Sequence, residues 1–329
     1  MTRTLPTALV TAVVLTWATH AGAQAQAPTD APQQTATAPA STAVTSTPPA
    51  TTATAADPAQ PADQKPAEQK PAAAAGDERD DSVLNRSQPD FTLINLPTGL
   101  RMPKGKMAFR VTHRFTRPLG EGDFGDLAGD AFGLDSSAVI GLEFRAGLLP
   151  GLQVGVQRGS SEKTVQFFSQ YDLKQQSTSF PVGLAAYAAI DGTNNFKDSY
   201  SPTLGLVVTR EFGDNGAVYV EPIWVNNSNL EPKELVDHND SFLLGLGTRI
   251  RVRPTTYFVL EVVPRVAGDD QGKHPVSFAV EKRVGGHAFQ LVFSNTFGLT
   301  AAQLSRGGIA SVDDKSNWYF GFNISRKFF

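Results

Sequence analysis

The 329 residues contain no cysteine, which excludes a disulfide scaffold and any thiolate metal site. Charge is sparse and balanced, with 29 Lys and Arg against 32 Asp and Glu, a net charge of -3 and only 19% charged residues. With no run of Lys or Arg either, nothing in the chain favours nucleic acid as a partner. Beyond the N-terminus there is no uninterrupted apolar run of roughly eighteen residues, so a helical membrane span is not expected. The mean hydropathy of -0.20 looks soluble. It leaves a membrane β-barrel open, because apolar and polar residues that alternate along a strand cancel in any average.

What is present falls into three parts. Residues 1–23 carry Arg3, an apolar core from Ala8 to Ala18 and the small-residue string Ala21-Gly22-Ala23, the pattern of a cleaved secretory signal. Export without disulfides suits the envelope of a Gram-negative bacterium. Residues 24–82 are mostly Ala, Pro, Thr, Gln and Ser, with a short repeat around Gln64-Lys65-Pro66-Ala67 and Gln69-Lys70-Pro71-Ala72. Such a segment has too little to bury to offset the entropy of ordering it, and is expected to be a disordered linker. Residues 83–329 behave differently, because apolar residues now recur at every second position.

Two runs show the period. Met107, Phe109, Val111, His113 and Phe115 interleave with Ala108, Arg110, Thr112 and Arg114. Phe242, Leu244, Leu246, Thr248, Ile250 and Val252 interleave with Leu243, Gly245, Gly247, Arg249 and Arg251. This reading gives about twelve strands, near 106–116, 137–148, 152–158, 164–173, 181–190, 202–212, 217–225, 241–253, 256–266, 275–283, 287–297 and 317–328. Their connections alternate. Tight Gly, Asn-Gly and Pro turns such as Leu149-Pro150-Gly151, Gly213-Asp214-Asn215-Gly216 and Pro254-Thr255 are hairpin chemistry, and between them come longer polar loops. An even number of strands with short turns at one end and long loops at the other is the outer-membrane pattern.

The two faces argue the same way. One is apolar and aromatic; the other mixes charge with Gly141, Gly155, Gly183, Gly205, Gly245, Gly247 and Gly321. In a soluble lipocalin-like barrel, the alternative, those glycines would face water and weaken the sheet, whereas in a lumen they make room for a neighbour's side chain. The terminal Phe329 is an aromatic of the kind that outer-membrane assembly machinery reads, although the alternating set is in phase with Phe328. The expected fold is an all-β antiparallel transmembrane β-barrel of about twelve strands.

The strings Ile94-Asn95-Leu96-Pro97, His113-Arg114-Phe115, Gly133-Leu134-Asp135-Ser136, Val220-Glu221-Pro222-Ile223-Trp224, Glu261-Val262-Val263-Pro264-Arg265 and Gly321-Phe322-Asn323-Ile324-Ser325-Arg326 resemble a bacterial family of membrane-bound β-barrel domains of unknown function. The likeness runs from about Phe91 to Phe329. It implies a barrel in the bacterial outer membrane and carries no reaction or ligand.

With the apolar face toward lipid, the lumen receives charges of both signs, expected to pair across neighbouring strands. Counting along the strands puts Glu221, Arg249 and Glu261 at similar height, so a lumen cluster of these three is expected, with Arg251 and Arg265 on the same face. It would staple strand register or form a charged constriction. Apolar lumen positions, among them Phe168, Tyr187, Val207, Ile223, Leu243 and Val259, suit a narrow or plugged pore or a partly apolar ligand, and Phe91 to Leu100 could supply the plug or an edge contact. Pro222 and Pro264, in mid-strand, are expected to mark bulges or bends. The histidines lack metal spacing, Asp237-His238-Asn239-Asp240 reads as a solvated loop, and no cofactor or catalytic set is expected. The partners foreseen are outer-membrane lipid and the assembly machinery through the last strand, with a small solute in the lumen as a further candidate. A pore of unknown substrate is the leading function, with a non-conducting structural or ligand-binding barrel and, more distantly, a lipid-acting enzyme as alternatives.

Overall fold

A computed structural model describes residues 85–229, 239–268, 272–309 and 317–328, all within one compact unit, Gln69–Phe329. The expected signal, the Ala/Pro/Thr-rich segment, Asp237, His238 and Phe329 lie outside the described residues.

Thirteen strand segments form one sheet: β1 (Met107–Pro118), β2 (Ala138–Leu149), β3 (Leu152–Gly159), β4 (Val165–Lys174), β5 (Gly183–Gly192), β6 (Asp198–Glu211), β7 (Gly216–Val225), β8 (Ser241–Arg253), β9 (Thr256–Val262), β10 (Arg265–Gly268), β11 (Val276–Val284), β12 (His287–Ser294) and β13 (Tyr319–Phe328). Every pairing is antiparallel. The first strand closes on the last, Met107 facing Phe328 and Arg114 facing Gly321. β9 and β10 are one stave interrupted at Val263 and Pro264, and both pair with β8. The result is a closed barrel of twelve staves.

The two prolines behave differently. Pro264 breaks its stave, as expected, while the Leu244 N–H still donates to its carbonyl at 2.9 Å. Pro222 makes no bulge. The β6 to β7 register runs unshifted from Gly205↔Ile223 to Val208↔Val220, because a missing N–H opens the ladder on one side without adding a residue.

Burial alternates along the strands as the period requires. In β7, Ala217, Tyr219, Glu221, Ile223 and Val225 are buried, while Val218, Val220 and Trp224 are exposed. The distribution is inside-out. Leu142, Phe144, Leu204, Ile250, Val252, Phe289 and Leu291 lie on the exposed face, while Arg110, Arg114, Glu143, Arg145, Arg249, Glu261, Glu281 and Arg283 are buried. A contiguous apolar exterior of this kind belongs in lipid. His113 sits on that face in mid-strand, stacked on Phe322 at 4.8 Å with Phe115 at 4.5 Å.

A plugged lumen as the candidate functional site

An eight-stranded ring is already filled by its own side chains. Twelve strands about 4.8 Å apart and tilted by about 40° give a circumference of roughly 75 Å, too wide for that. Two further segments occupy the space.

The first is the stretch 85–103 ahead of β1. It enters at the short-turn end, where Arg86 pairs with Asp214 of the β6–β7 turn at 3.2 Å. It then doubles back through a narrow loop closed by Leu93 N–H to Leu96 O (2.8 Å) and Thr98 N–H to Phe91 O (2.9 Å). Phe91, Leu93, Ile94 and Leu96 are at most 2% exposed. Leu93 and Leu96 fit notches over Gly247 and Gly245, where a side chain on either glycine would collide with a leucine Cδ1.

Polar contacts hold this plug from around the wall. One carboxylate oxygen of Glu261 accepts the backbone N–H groups of Ile94 (3.1 Å), Asn95 (2.8 Å) and Leu96 (2.9 Å), and the other accepts the Asn95 amide (2.9 Å). Arg249 donates to Thr92 O (2.8 Å), Gln290 to Leu93 O (2.7 Å), Gln170 to Thr98 O (2.8 Å) and Gln153 to Leu100 O (3.2 Å). Arg110 reaches Ile94 O and Lys327 reaches Pro89 O. Asp90, on the plug itself, accepts from Ser325 Oγ at 2.7 Å. Burial alone would raise the Asp90 carboxyl, but Lys327, Arg110, Arg249 and that hydrogen bond outweigh it and hold it below the ordinary carboxylate range.

The second segment is the β12–β13 loop, which turns in from the opposite mouth and buries a short helix, Ala301–Ser305. Thr300 caps it, accepting from Gln303 N–H at 3.2 Å, and also bonds Asp191 at the end of β5. Arg265 donates to Ser305 O at 3.0 Å, and Arg306 bonds Glu162 at 2.6 Å. Ala301, Ala302 and Leu304 join Leu93, Ile94 and Leu96 in one apolar cluster. Between plug and loop a cavity of about 20 Å³ remains, lined by Asn95, Leu96, Glu143, Tyr187 and Leu304 among others, room for about one water.

The charged residues foreseen as a lumen cluster are thus distributed. Glu221 faces Gly245, Glu261 faces Gly247, and Arg249 lies farther along β8 opposite Ala217 and Val259. Arg249 takes Glu281 as its ion partner at 3.0 Å, rather than Glu221 or Glu261. Arg251 stands at the short-turn rim, 3.8 Å from Asp214, and Arg265 at the other mouth. Both Glu221 carboxyl oxygens are buried without a hydrogen-bond partner. The expectation of charge pairing between neighbouring strands holds only in part: Arg110 lies directly opposite Glu143 of β2 and is attracted to it. Arg145 pairs with Glu143 of its own strand at 2.9 Å, and Arg249 with a carboxylate two staves away, because the plug occupies the hydrogen-bonding groups of the intervening wall. Asp90 was not foreseen as a member of the site; Glu281 shares the lumen-facing parity of the other strand charges and was simply not placed in the cluster. The signal for the plug was the apolar spacing of Phe91, Leu93, Ile94, Leu96 and Leu100 before the first strand. Among the described residues, no group of three or more His, Asp or Glu side chains could hold a metal.

A closed antiparallel barrel with charge inside and an apolar belt outside defines a membrane-bound β-barrel. The chain belongs to the family described as membrane bound beta barrel domain (DUF5777), whose model matches residues 90–328, a span that takes in the plug loop as well as the staves. No curated protein sequence matches. Among solved structures, it is similar to the NanC porin (TM-score 0.43, 6% identity, covering 68% of this chain and 100% of that one). It is also similar to the COG4313 outer membrane channel from Pseudomonas putida F1 (TM-score 0.43, 13% identity, 69% and 97%). A bacterial polysaccharide outer membrane secretin matches at a TM-score of 0.32 and 10% identity, covering 69% and 100%. At such scores these likenesses carry no argument about mechanism.

Proposed function

We propose that this protein is a gated channel of the bacterial outer membrane, held shut here by the segment 85–103, with the β12–β13 loop as a fixed constriction at the opposite mouth. One observation carries the reading: the lumen is filled by segments separate from its wall and held there largely through polar contacts. A barrel meant to be solid closes with fewer strands and its own side chains. Hydrogen bonds of this kind are individually modest, because water replaces each one on release, so the plug is built to be exchangeable.

A non-conducting barrel is the second reading, favoured by the apolar cluster that Leu93, Ile94 and Leu96 form with Val207, Ile223 and Leu243. Planar-bilayer recordings of the full chain and of a variant lacking 85–103 separate the two. A channel gives rare openings in the first and sustained current in the second. A shortened chain that migrates as a heat-modifiable barrel in detergent gels yet carries no current supports the closed reading.

A further inference from the structure

The outward face of the barrel is apolar but not uncharged, and at the short-turn end its charges have one sign. Along the described strands that face carries no Glu and a single Asp, Asp198, at the long-loop end. The outward Arg residues at the long-loop end are engaged by loops, Arg117 with Asp130 and Arg158 with Asn195. At the short-turn end Lys174, Arg210, Lys282 and Arg326 face out, and their partners are neutral: the Phe180 ring, Pro181 O, Thr255 Oγ1 and the His287 ring respectively.

Three of these side chains converge on adjoining staves. His287 of β12 lies between Val284 of β11 and Arg326 of β13, and Lys282, opposite Phe289, is its diagonal neighbour. Arg326 and the His287 Nε2 are 2.7 Å apart. A guanidinium has donors only, so Nε2 accepts and Nδ1 carries the ring proton. Phe289 stacks on His287 at 6.0 Å, and the Arg326 guanidinium lies 5.4 Å from the Phe328 ring. The exposed Leu291 and, beside Phe289, Ile324 continue the apolar belt from there. Cationic N–H donors thus stand at the edge of the lipid-facing surface, their stems along apolar rings.

We propose that Lys282, His287 and Arg326 bind the headgroup phosphate of an anionic phospholipid in the leaflet at the short-turn end, which is the periplasmic leaflet in outer-membrane barrels. Arg and Lys suit a phosphate by charge and by donor geometry. A lipid whose phosphate lies here has its acyl chains against Phe289, Leu291 and Ile324, an anchorage that a free anion lacks. A zwitterionic headgroup brings an ammonium as well, and the outward face at this end offers it no carboxylate. The site is the same whether or not the lumen conducts.

The test is native mass spectrometry of the folded full-length protein in detergent, titrated with dioleoylphosphatidylglycerol or dioleoylphosphatidylcholine. The expected result is bound phosphatidylglycerol at concentrations about tenfold or more below those needed for phosphatidylcholine. Lys282→Gln and Arg326→Gln each cut that preference about fivefold, the effect of about 1 kcal/mol per cation near an anionic surface. Arg210→Gln, across the barrel on β6, leaves it unchanged. Equal retention of the two lipids, a preference untouched by the first two substitutions, or one lost equally with Arg210→Gln overturns the inference. Displacement of the lipid by inorganic phosphate at the same concentration also overturns it, since the cluster is then a site for the free ion. If Arg326→Gln does not yield a heat-modifiable barrel, Lys282→Gln decides alone, because its side chain bonds only Thr255 of an exposed turn.

Discussion

On β1 to β4, β12 and β13 the lumen face carries Arg110, Arg114, Arg145, Gln153, Gln157, Gln166, Gln170, Gln290 and Asn323, whereas β5 to β9 and β11 present Ala185, Val207, Ile223, Leu243, Val259 and Ala279. Both arcs hold the same plug. The polar arc does so with directional bonds that water can replace, so its net contribution per contact is about 1 kcal/mol. The apolar arc does so by excluding water from Leu93, Ile94 and Leu96, worth about 1.5–3 kcal/mol for each fully buried side chain. The apolar arc is not purely apolar: it also carries the Arg249–Glu281 pair and Arg283, and within it Glu261 supplies the strongest polar contact to the plug and Glu221 a liability. The difference teaches where the closed state is stabilised and where it is poised to fail.

Deleting 85–103 removes both attachments together and is expected to have the largest effect, turning a mostly silent barrel into a steady conductor in bilayer recordings. Glu261→Ala strands three backbone N–H groups at the plug tip. At about 1–3 kcal/mol for each buried donor left unsatisfied, open probability should rise at least tenfold. Gly247→Val tests the apolar arc alone. The added side chain collides with Leu93, and overpacking of about 1–3 kcal/mol should loosen the plug, read as faster protease cleavage within 85–103 in a barrel that stays intact. If cleavage is unchanged, the apolar arc is not holding the loop.

Glu221→Leu is expected to act in the opposite direction. It removes a buried carboxyl with no partner, so the closed state should gain about 1–3 kcal/mol and spontaneous openings should become rarer; more frequent openings would mean that Glu221 holds the plug. The smallest effect belongs to Asp90. Its carboxyl titrates below the ordinary range in the folded chain, so its contribution is complete above the unfolded value of about 3.9 and is lost only as pH falls through the lower folded value. Asp90→Asn should therefore open the channel modestly at neutral pH and flatten the rise in openings otherwise seen on strong acidification.

Much of the architecture was legible because strand period and turn chemistry are local. Ile250 and Val252 alternating with Arg249 and Arg251 fixed which side of β8 faces in, and Pro254-Thr255 fixed which end turns tightly. Boundaries moved where a loop extends a strand, as in β6, which begins at Asp198 rather than near 202. Short helices such as Phe124–Gly129 and Ala301–Ser305 left no trace in the pattern because neither completes two turns.

The candidate site was legible only in outline. That Glu221, Arg249 and Glu261 face the lumen follows from parity alone, and the apolar residues before β1 already suggested a plug. Which groups meet could not follow from parity, because the partner of Glu261 is a backbone turn some 165 residues away in the chain and that of Arg249 lies two staves around the ring.

By itself, then, the sequence determined the approximate strand count, the inside-out faces and the short and long ends, all properties of neighbours along the chain. Only the tertiary structure decided what fills the lumen and so which charges are paired, shared with the plug or left alone. Twelve staves enclose more space than their side chains can fill, and the occupant of that space sets the electrostatics of the wall around it.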